Sequence, residues 1–261
     1  MSKRTIQGCR VLITGASSGI GRALALELAR HRAKLVLNAR RRDRLDDLAG
    51  EVAALGGEAE AAAGDVTLGD VRRAALGTAQ ARFGGLDALV NNAGIGAWGR
   101  FDSASPKRLR RIMEVNFFAL AELTREALPL LRLGRDPIVI NVASILGHRA
   151  VPRSSEYCAS KFAVRGLSDS LRAELAGQGI DVLVVSPGTT ESEFVGSLIE
   201  KQSEMAWPEQ PGVPAALVAA QTVRAMRLGL HEIIPHRRGR LLVWLNRLCP
   251  RSLDRWMERY G

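Results

Sequence analysis

Tyrosine occurs only twice in this chain of 261 residues, at 157 and 260. The first lies in the stretch SEYCASKF, four positions before Lys161, so the two share a face of any helix they occupy. A free tyrosine, with a pKa near ~10, is about one part in a thousand phenolate at neutral pH, and a nearby ammonium favours that form. Brought down toward neutrality, Tyr157 would exchange a proton with a bound oxygen at physiological pH. Ser144 closes the apolar run VINVAS thirteen positions earlier, at the C-terminal end of a strand, where its hydroxyl can hydrogen-bond a substrate oxygen. Asn116 lies upstream in EVNFFA, on a long helical pattern. The competing reading of Tyr157 and Lys161 is an ordinary amphipathic helix with the ring in the core and the ammonium in solvent.

A second set of residues has the chemistry of a phosphate cradle. The stretch TGASSGIG follows the first apolar run and opens a helical pattern, with glycines at 15, 19 and 21. A strand-to-helix turn points backbone N–H groups at an anion, and glycines remove Cβ atoms from its path. Ser17 and Ser18 add hydroxyl donors, and Ile20 lies between the last two glycines. After the second run, where dinucleotide folds often carry an acid for the ribose diol, LVLNARRRDR offers Ala39 and then Arg40, Arg41 and Arg42. A guanidinium pairs with a 2′-phosphate where an acid would repel it. The expectation is NADP(H) rather than NAD(H), with Arg40 as the main contact and Arg41, Arg42 and Arg44 on a solvated helix start; NAD(H) is the alternative cofactor.

These residues need a scaffold, and apolar β-branched runs alternating with helical patterns supply one. Runs at 10–15, 34–39, 58–66, 87–93, 137–144 and 180–188 read as strands, and the patterns between them, including one continuous helix through about 105–133, as helices. Continuous apolar strands bounded by glycine point to burial on both faces, hence a doubly wound, Rossmann-like α/β fold: one domain with a parallel sheet between helices. That catalytic domain is expected over 1–236, with an irregular lid at 189–213, a helix at 214–229 and a last strand in HEIIPH. Trp98, Ile145, Leu146, Phe194 and Trp207 would give the lid and its surroundings an apolar pocket, with His148 and Arg149 as polar points on its lining or the surface.

Composition narrows the class. Apolar residues make up 46% and charged residues 25%, with a net charge of +10 carried by 32 arginines and five lysines. The arginines are scattered and lack interleaved aromatics, which argues against nucleic-acid binding. No secretory leader or spanning stretch is visible. Cys9, Cys158 and Cys249 are odd in number, without metal-ligand spacing, and read as reduced, buried or half-buried thiols of a cytoplasmic protein. The tail 237–261 holds seven arginines against two acids, with Leu241, Leu242, Trp244, Leu245, Leu248 and Trp256 among them. It either packs on its own domain, the substrate site or a subunit interface, or lies on an acidic membrane surface.

In order and spacing, Gly15-x-x-x-Gly19-x-Gly21, Asp65-Val66, NNAG at 91–94, Asn116, Ser144, YCASK and the Ser-Pro-Gly at 186–188 resemble the short-chain dehydrogenase/reductase family over roughly residues 8–190. The resemblance implies hydride transfer between a nicotinamide and a carbonyl or alcohol carbon. It makes Tyr157 the proton donor or acceptor, with Lys161 lowering its pKa and binding the nicotinamide ribose. Ser144 would orient the substrate oxygen, and Asn116 would support a water-linked proton relay. Asp65 with Val66 would meet the adenine edge, and Asn91, Ala93 and Gly94 would pack near the cofactor ribose and support the central strand. Pro187 and Gly188 match the family's Pro-Gly; Thr190 lends its backbone, and Ser192 stands where a carboxamide-binding Thr is usual. The resemblance further implies a homodimer or homotetramer through two long helices, and, with NADP(H), reduction of a small hydrophobic ketone or aldehyde. The alternative is a nucleotide-binding regulatory protein of the same fold without turnover.

Overall fold

The computed structural model describes residues 4–191, 193–194, 196, 198–201 and 212–260. The six predicted strands are all present: β1 (Arg10–Thr14), β2 (Lys34–Ala39), β3 (Glu58–Ala63), β4 (Ala88–Asn91), β5 (Ile138–Val142) and β6 (Asp181–Val185). Two-residue strands β7 (Thr190–Glu191) and β8 (Val213–Pro214) pair with each other and close the base of the expected lid, whose residues 202–211 lie outside the described residues. A last strand, β9 (Glu232–Ile233), completes a seven-stranded parallel sheet in the order β3-β2-β1-β4-β5-β6-β9.

Side chains alternate across the pleat, so Val11 and Ile13 face one side and Leu12 the other. On the first side the strands pack against α1 (Gly19–Arg30), α2 (Arg42–Ala54) and, later in the chain, Val218 and Val223 of the helix predicted at 214–229. On the second they pack against α3 (Gly69–Phe83) and the helices that carry the candidate site. The order of strands reverses between β1 and β4, and the glycine turn sits at the C-terminal end of β1, beside that crevice.

One expected helix is not continuous. Residues 106–131 form α4 (Pro106–Met113), a π-helical turn (Glu114–Phe118) and α5 (Ala119–Leu131). The widened turn carries Asn116, whose side chain is buried and reaches Ile95 across the cleft; π turns of this kind are common where a helix must aim one side chain at a site. Helix α6 (Ser155–Ala176) brings Tyr157 and Lys161, and α7 (Ala215–Leu228) starts directly after Pro214. The tail forms α8 (Arg237–Leu248) and α9 (Pro250–Met257), divided at Pro250 as its fixed φ and missing N–H require. Gly239 of α8 lies so close to Ile145 that a Cβ there would stand 2.9 Å from its Cγ2, so the inner face of the tail rests on its own domain.

Candidate active site

The glycine turn is held from the other side of the crevice. Thr14 Oγ1 accepts from the amides of Asn92 and Ala93, both at 3.0 Å, and Asn92 Nδ2 donates to the carbonyls of Thr14 and Gly15 at 2.9 and 3.1 Å. Gly15 has φ +64°, and a Cβ on Gly21 would lie 2.3 Å from the Gly15 carbonyl oxygen, so neither position accepts a side chain. Ser18 stands extended as the N-cap of α1 without capping it. The turn therefore presents bare backbone and the Ser17 and Ser18 hydroxyls at a helix N-terminus, a shape and donor set that fit a dinucleotide pyrophosphate. Asn92 was read only as part of NNAG; its bracing role depends on a sequence separation of 77–78 residues and has no local signal.

Of the basic run, Arg41 rather than Arg40 reaches this turn. Arg40 is exposed beyond β2. Arg41 Nη2 donates to Ser17 Oγ at 3.1 Å, and its Nη1 meets Glu193 at 3.0 Å, while Arg44 meets the other oxygen of Glu193 at 2.5 Å. Arg41, Arg42 and Arg44 are exposed at the helix start, as expected, and each is also paired, Arg42 with Asp46 one turn along α2. Asp65 Oδ1 caps the turn at Thr67, and its Oδ2 pairs with Arg111. Burial would raise this carboxyl, but the Thr67 bonds and the Arg111 pair hold it below the ordinary carboxylate value. Val66 is buried beside it.

The proton-handling residues converge at the C-terminal ends of β4, β5 and β6. Lys161, expected in solvent on the bland reading, is 4% exposed, and its Nζ donates to the Val142 carbonyl at 2.9 Å. Burial draws its pKa down to about 8. Tyr157 is half-buried, with its ring 5.5 Å from that of Phe194 and Lys161 Nζ 5.7 Å from its centroid. Burial pushes the phenol above its ordinary value, and a hydrogen bond with Ser144 works in the opposite direction. Loss of hydration outweighs the Ser144 bond, so this geometry does not give the depression expected from Lys161. Ser144 Oγ also accepts from the Leu146 amide at 3.1 Å and lies 3.5 Å from the Pro187 carbonyl, which ties the Pro187-Gly188 turn to the site.

Asn116 Oδ1 accepts from the Ile95 amide at 2.9 Å, and its Nδ2 donates to the Ile95 carbonyl and to Ser160 Oγ, both at 3.0 Å. The two bonds to Ile95 brace the loop after β4, and the third ties the π turn to α6. A Cβ on Gly94 would stand 3.3 Å from Asn116 Oδ1 and 3.6 Å from Lys161 Nζ, so this glycine opens the floor between them. Asn91, expected to support the central strand as well as to lie near the cofactor ribose, is buried in the sheet, where it donates to Thr124 and Asn141. Thr190 bonds the Gly188 carbonyl at 3.1 Å. Ser192 and Trp207 lie outside the described residues. His148 is buried, 3.1 Å from Ser186 Oγ and 3.0 Å from Glu232, and Arg149 bonds Asn246 and Asp254, so neither serves as a polar point on a pocket lining. Cys9 and Cys158 are buried, as expected, but Cys249 is exposed between the two tail helices.

The profile of the family described as short chain dehydrogenase matches residues 10–203. Ketoacyl reductase HetN of Nostoc sp. is 31% identical over 264 residues, covering 98% of this chain and 91% of its own. The 11-beta-hydroxysteroid dehydrogenase-like 4A of Arabidopsis thaliana is 37% identical, covering 95% and 83%. Among solved structures, a short chain dehydrogenase/reductase of Burkholderia phymatum in complex with NAD superposes with a TM-score of 0.87 at 25% identity, over 96% of each chain. A short chain dehydrogenase of Burkholderia cenocepacia in complex with NADP gives 0.78 at 28% identity, over 88% of this chain and 97% of its own. The chain belongs to the short-chain dehydrogenase family. It is an oxidoreductase of CH–OH groups that uses a nicotinamide cofactor.

Proposed function

We propose that this enzyme is an NADP(H)-dependent carbonyl reductase acting on a hydrophobic ketone or aldehyde. The observation that carries the cofactor preference is the Arg41 guanidinium hydrogen-bonded to Ser17 of the glycine turn, with Arg44 sharing Glu193 beside it. Two guanidinium groups next to the turn supply the charge-assisted forks that a ribose 2′-phosphate takes, and the strand end offers no acid to a ribose diol. Arg40, exposed at the mouth, is the outer contact. Phe194, whose ring lies 5.5 Å from that of Tyr157, and Ile145, directly after Ser144, support an apolar substrate.

When bound, the nicotinamide supplies the hydride. Ser144 holds the substrate oxygen, and Tyr157 gives that oxygen its proton as the carbon is reduced. A phenol pushed above its ordinary value stays protonated through neutrality, which suits it to reduction. Lys161, its ammonium 5.7 Å from the ring centroid, stabilises the phenolate that remains and would hold the nicotinamide ribose. Asn116 is a positioning residue: its side chain braces Ile95, which leaves its main chain in the π turn to support the relay. The exposed rings of Phe118 and Phe162, on the π turn and α6, support assembly as a homodimer or homotetramer through these helices. Three unpaired thiols support a reducing, cytoplasmic setting.

The test is steady-state kinetics with NADPH and NADH over a panel of aliphatic, aromatic and steroid-like carbonyls. The reading requires turnover with an apolar carbonyl and a preference for NADPH that falls in Arg41→Ala. A preference for NADH that is unchanged in that variant overturns the cofactor assignment.

A further inference from the structure

Helix α8 has two unlike faces. Gly239 and Val243 are buried against the body, and Asn246 donates to the His148 carbonyl at 3.1 Å. On the opposite side Leu241, Trp244, Leu245 and Leu248 follow at i, i+3, i+4 and i+7 and form one stripe. They are 57%, 59%, 37% and 58% exposed, so the stripe faces outward along most of the helix. Contiguous apolar surface of this kind marks a binding face. Exposed Arg237, Arg240 and Arg247 border it, and Arg251, Arg255 and Arg259 follow in exposed positions. Of the two acids in this segment, Asp254 is already paired with Arg149 at 2.7 Å.

We propose that α8 docks this protein on a membrane surface containing anionic lipid, with the stripe in the headgroup–acyl boundary and the arginines on the lipid phosphates. The charge selects the occupant. A second copy meeting this face about a two-fold axis would set arginines against arginines, in a molecule whose net charge is already +10. An anionic bilayer offers an apolar interior bordered by negative charge, complementary to the stripe and its rim. No helix among the described residues is long and apolar enough to cross a membrane, so the contact lies in the plane of the interface. The inner face of α8 rests on the segment after Ser144, so docking turns the substrate side toward the lipid. That consequence rests on the carbonyl reductase reading; the docking does not.

The experiment is co-sedimentation of the full chain with phosphatidylcholine vesicles, with and without phosphatidylserine. The full chain pellets with the phosphatidylserine vesicles and is released by salt. Trp244→Asp combined with Leu248→Asp lowers the partition by about tenfold or more, with thermal unfolding and reduction of a water-soluble carbonyl unchanged. Arg240→Gln with Arg247→Gln weakens binding to the anionic vesicles while leaving the stripe intact. A full chain that stays in the supernatant, or an acidic double variant that pellets equally, overturns the proposal. So does a dimer, seen by sedimentation velocity, that this variant abolishes while the wild type ignores lipid. Pelleting is read without turnover, so its failure leaves the reductase reading standing, and an inactive protein that still pellets leaves the docking standing.

Discussion

Lys161 and Tyr157 answer burial in opposite senses, and on the proposed reductase reading the pair sets a pH range for the chemistry. The phenol is held protonated, while the ammonium, drawn down to about 8, is charged below that pH and neutral above it. Reduction needs both the phenol proton and the positive charge that receives the resulting phenolate. The rate of reduction is therefore full below about 8 and falls as pH rises through that value. A profile of kcat/KM against pH checks this, and one that is flat through the region contradicts it. Tyr157→Phe removes the proton with little change of shape and lowers kcat by about a thousandfold or more, with NADPH binding, read by fluorescence, retained. At the phosphate end, Glu193 competes for Arg41 and Arg44, so Glu193→Gln lowers the KM for NADPH several-fold and leaves that for NADH unchanged. Arg41→Ala raises the KM for NADPH by about tenfold or more, as loss of a charge-assisted bond implies. The types and spacing of Tyr157, Lys161 and Ser144 were legible because they lie within one strand–helix passage. Arg41 was not, since four near-adjacent arginines are equivalent until the turn of α2 decides which one points at Ser17.

Elements were legible where burial on both sides of the sheet wrote unbroken apolar runs, as in RVLIT and IVINV. The π turn was not, because EVNFF keeps helical apolar spacing and the widening goes with a tertiary bond from Asn116 to a loop 21 residues away. The same blindness hid the strut between α4 and α6. Nothing local in the sequence pairs Arg108 with Glu156, 48 residues apart, yet they are 1% and 3% exposed and meet at 2.6 Å. This pair fixes the start of α6, next to Tyr157, against α4. Arg108→Met leaves the Glu156 carboxylate buried without its cation and costs about 3–5 kcal/mol. Urea denaturation measures that loss. Restoration by Glu156→Leu in the same chain distinguishes a stranded charge from a lost packing contact, since an apolar pair of similar volume is often as stable as the ions it replaces.

Across the whole molecule the two edges of the sheet do different work. The C-terminal ends of the strands carry the glycine turn, Ser144 and the Pro187-Gly188 turn, where small residues and bent backbone leave room for ligands. The N-terminal ends are stitched by ions. Arg4 pairs with Asp181 below β6, and Asp87 takes the amide and guanidinium of Arg10 and the amide of Arg135, joining the approaches to β1, β4 and β5. Burial alone would raise the Asp87 carboxyl, but its hydrogen bonds to Arg10 and to the two amides outweigh that and hold it below the ordinary value. A carboxylate depressed in the folded state stabilises the fold fully above its unfolded pKa, near 3.8, and loses that contribution as pH falls through the folded value. Asp87→Asn keeps the size but leaves Arg10 without its anion. It lowers stability at neutral pH by about 3 kcal/mol and flattens the acid limb of the stability curve. Because the site lies at the opposite edge, kcat and the KM for NADPH remain those of the wild type at temperatures where the variant is folded. Denaturation midpoints across the acid range, set beside kinetics of the same preparation, test both halves. A variant that loses turnover in proportion to stability would show that the two edges are coupled through the strands rather than independent.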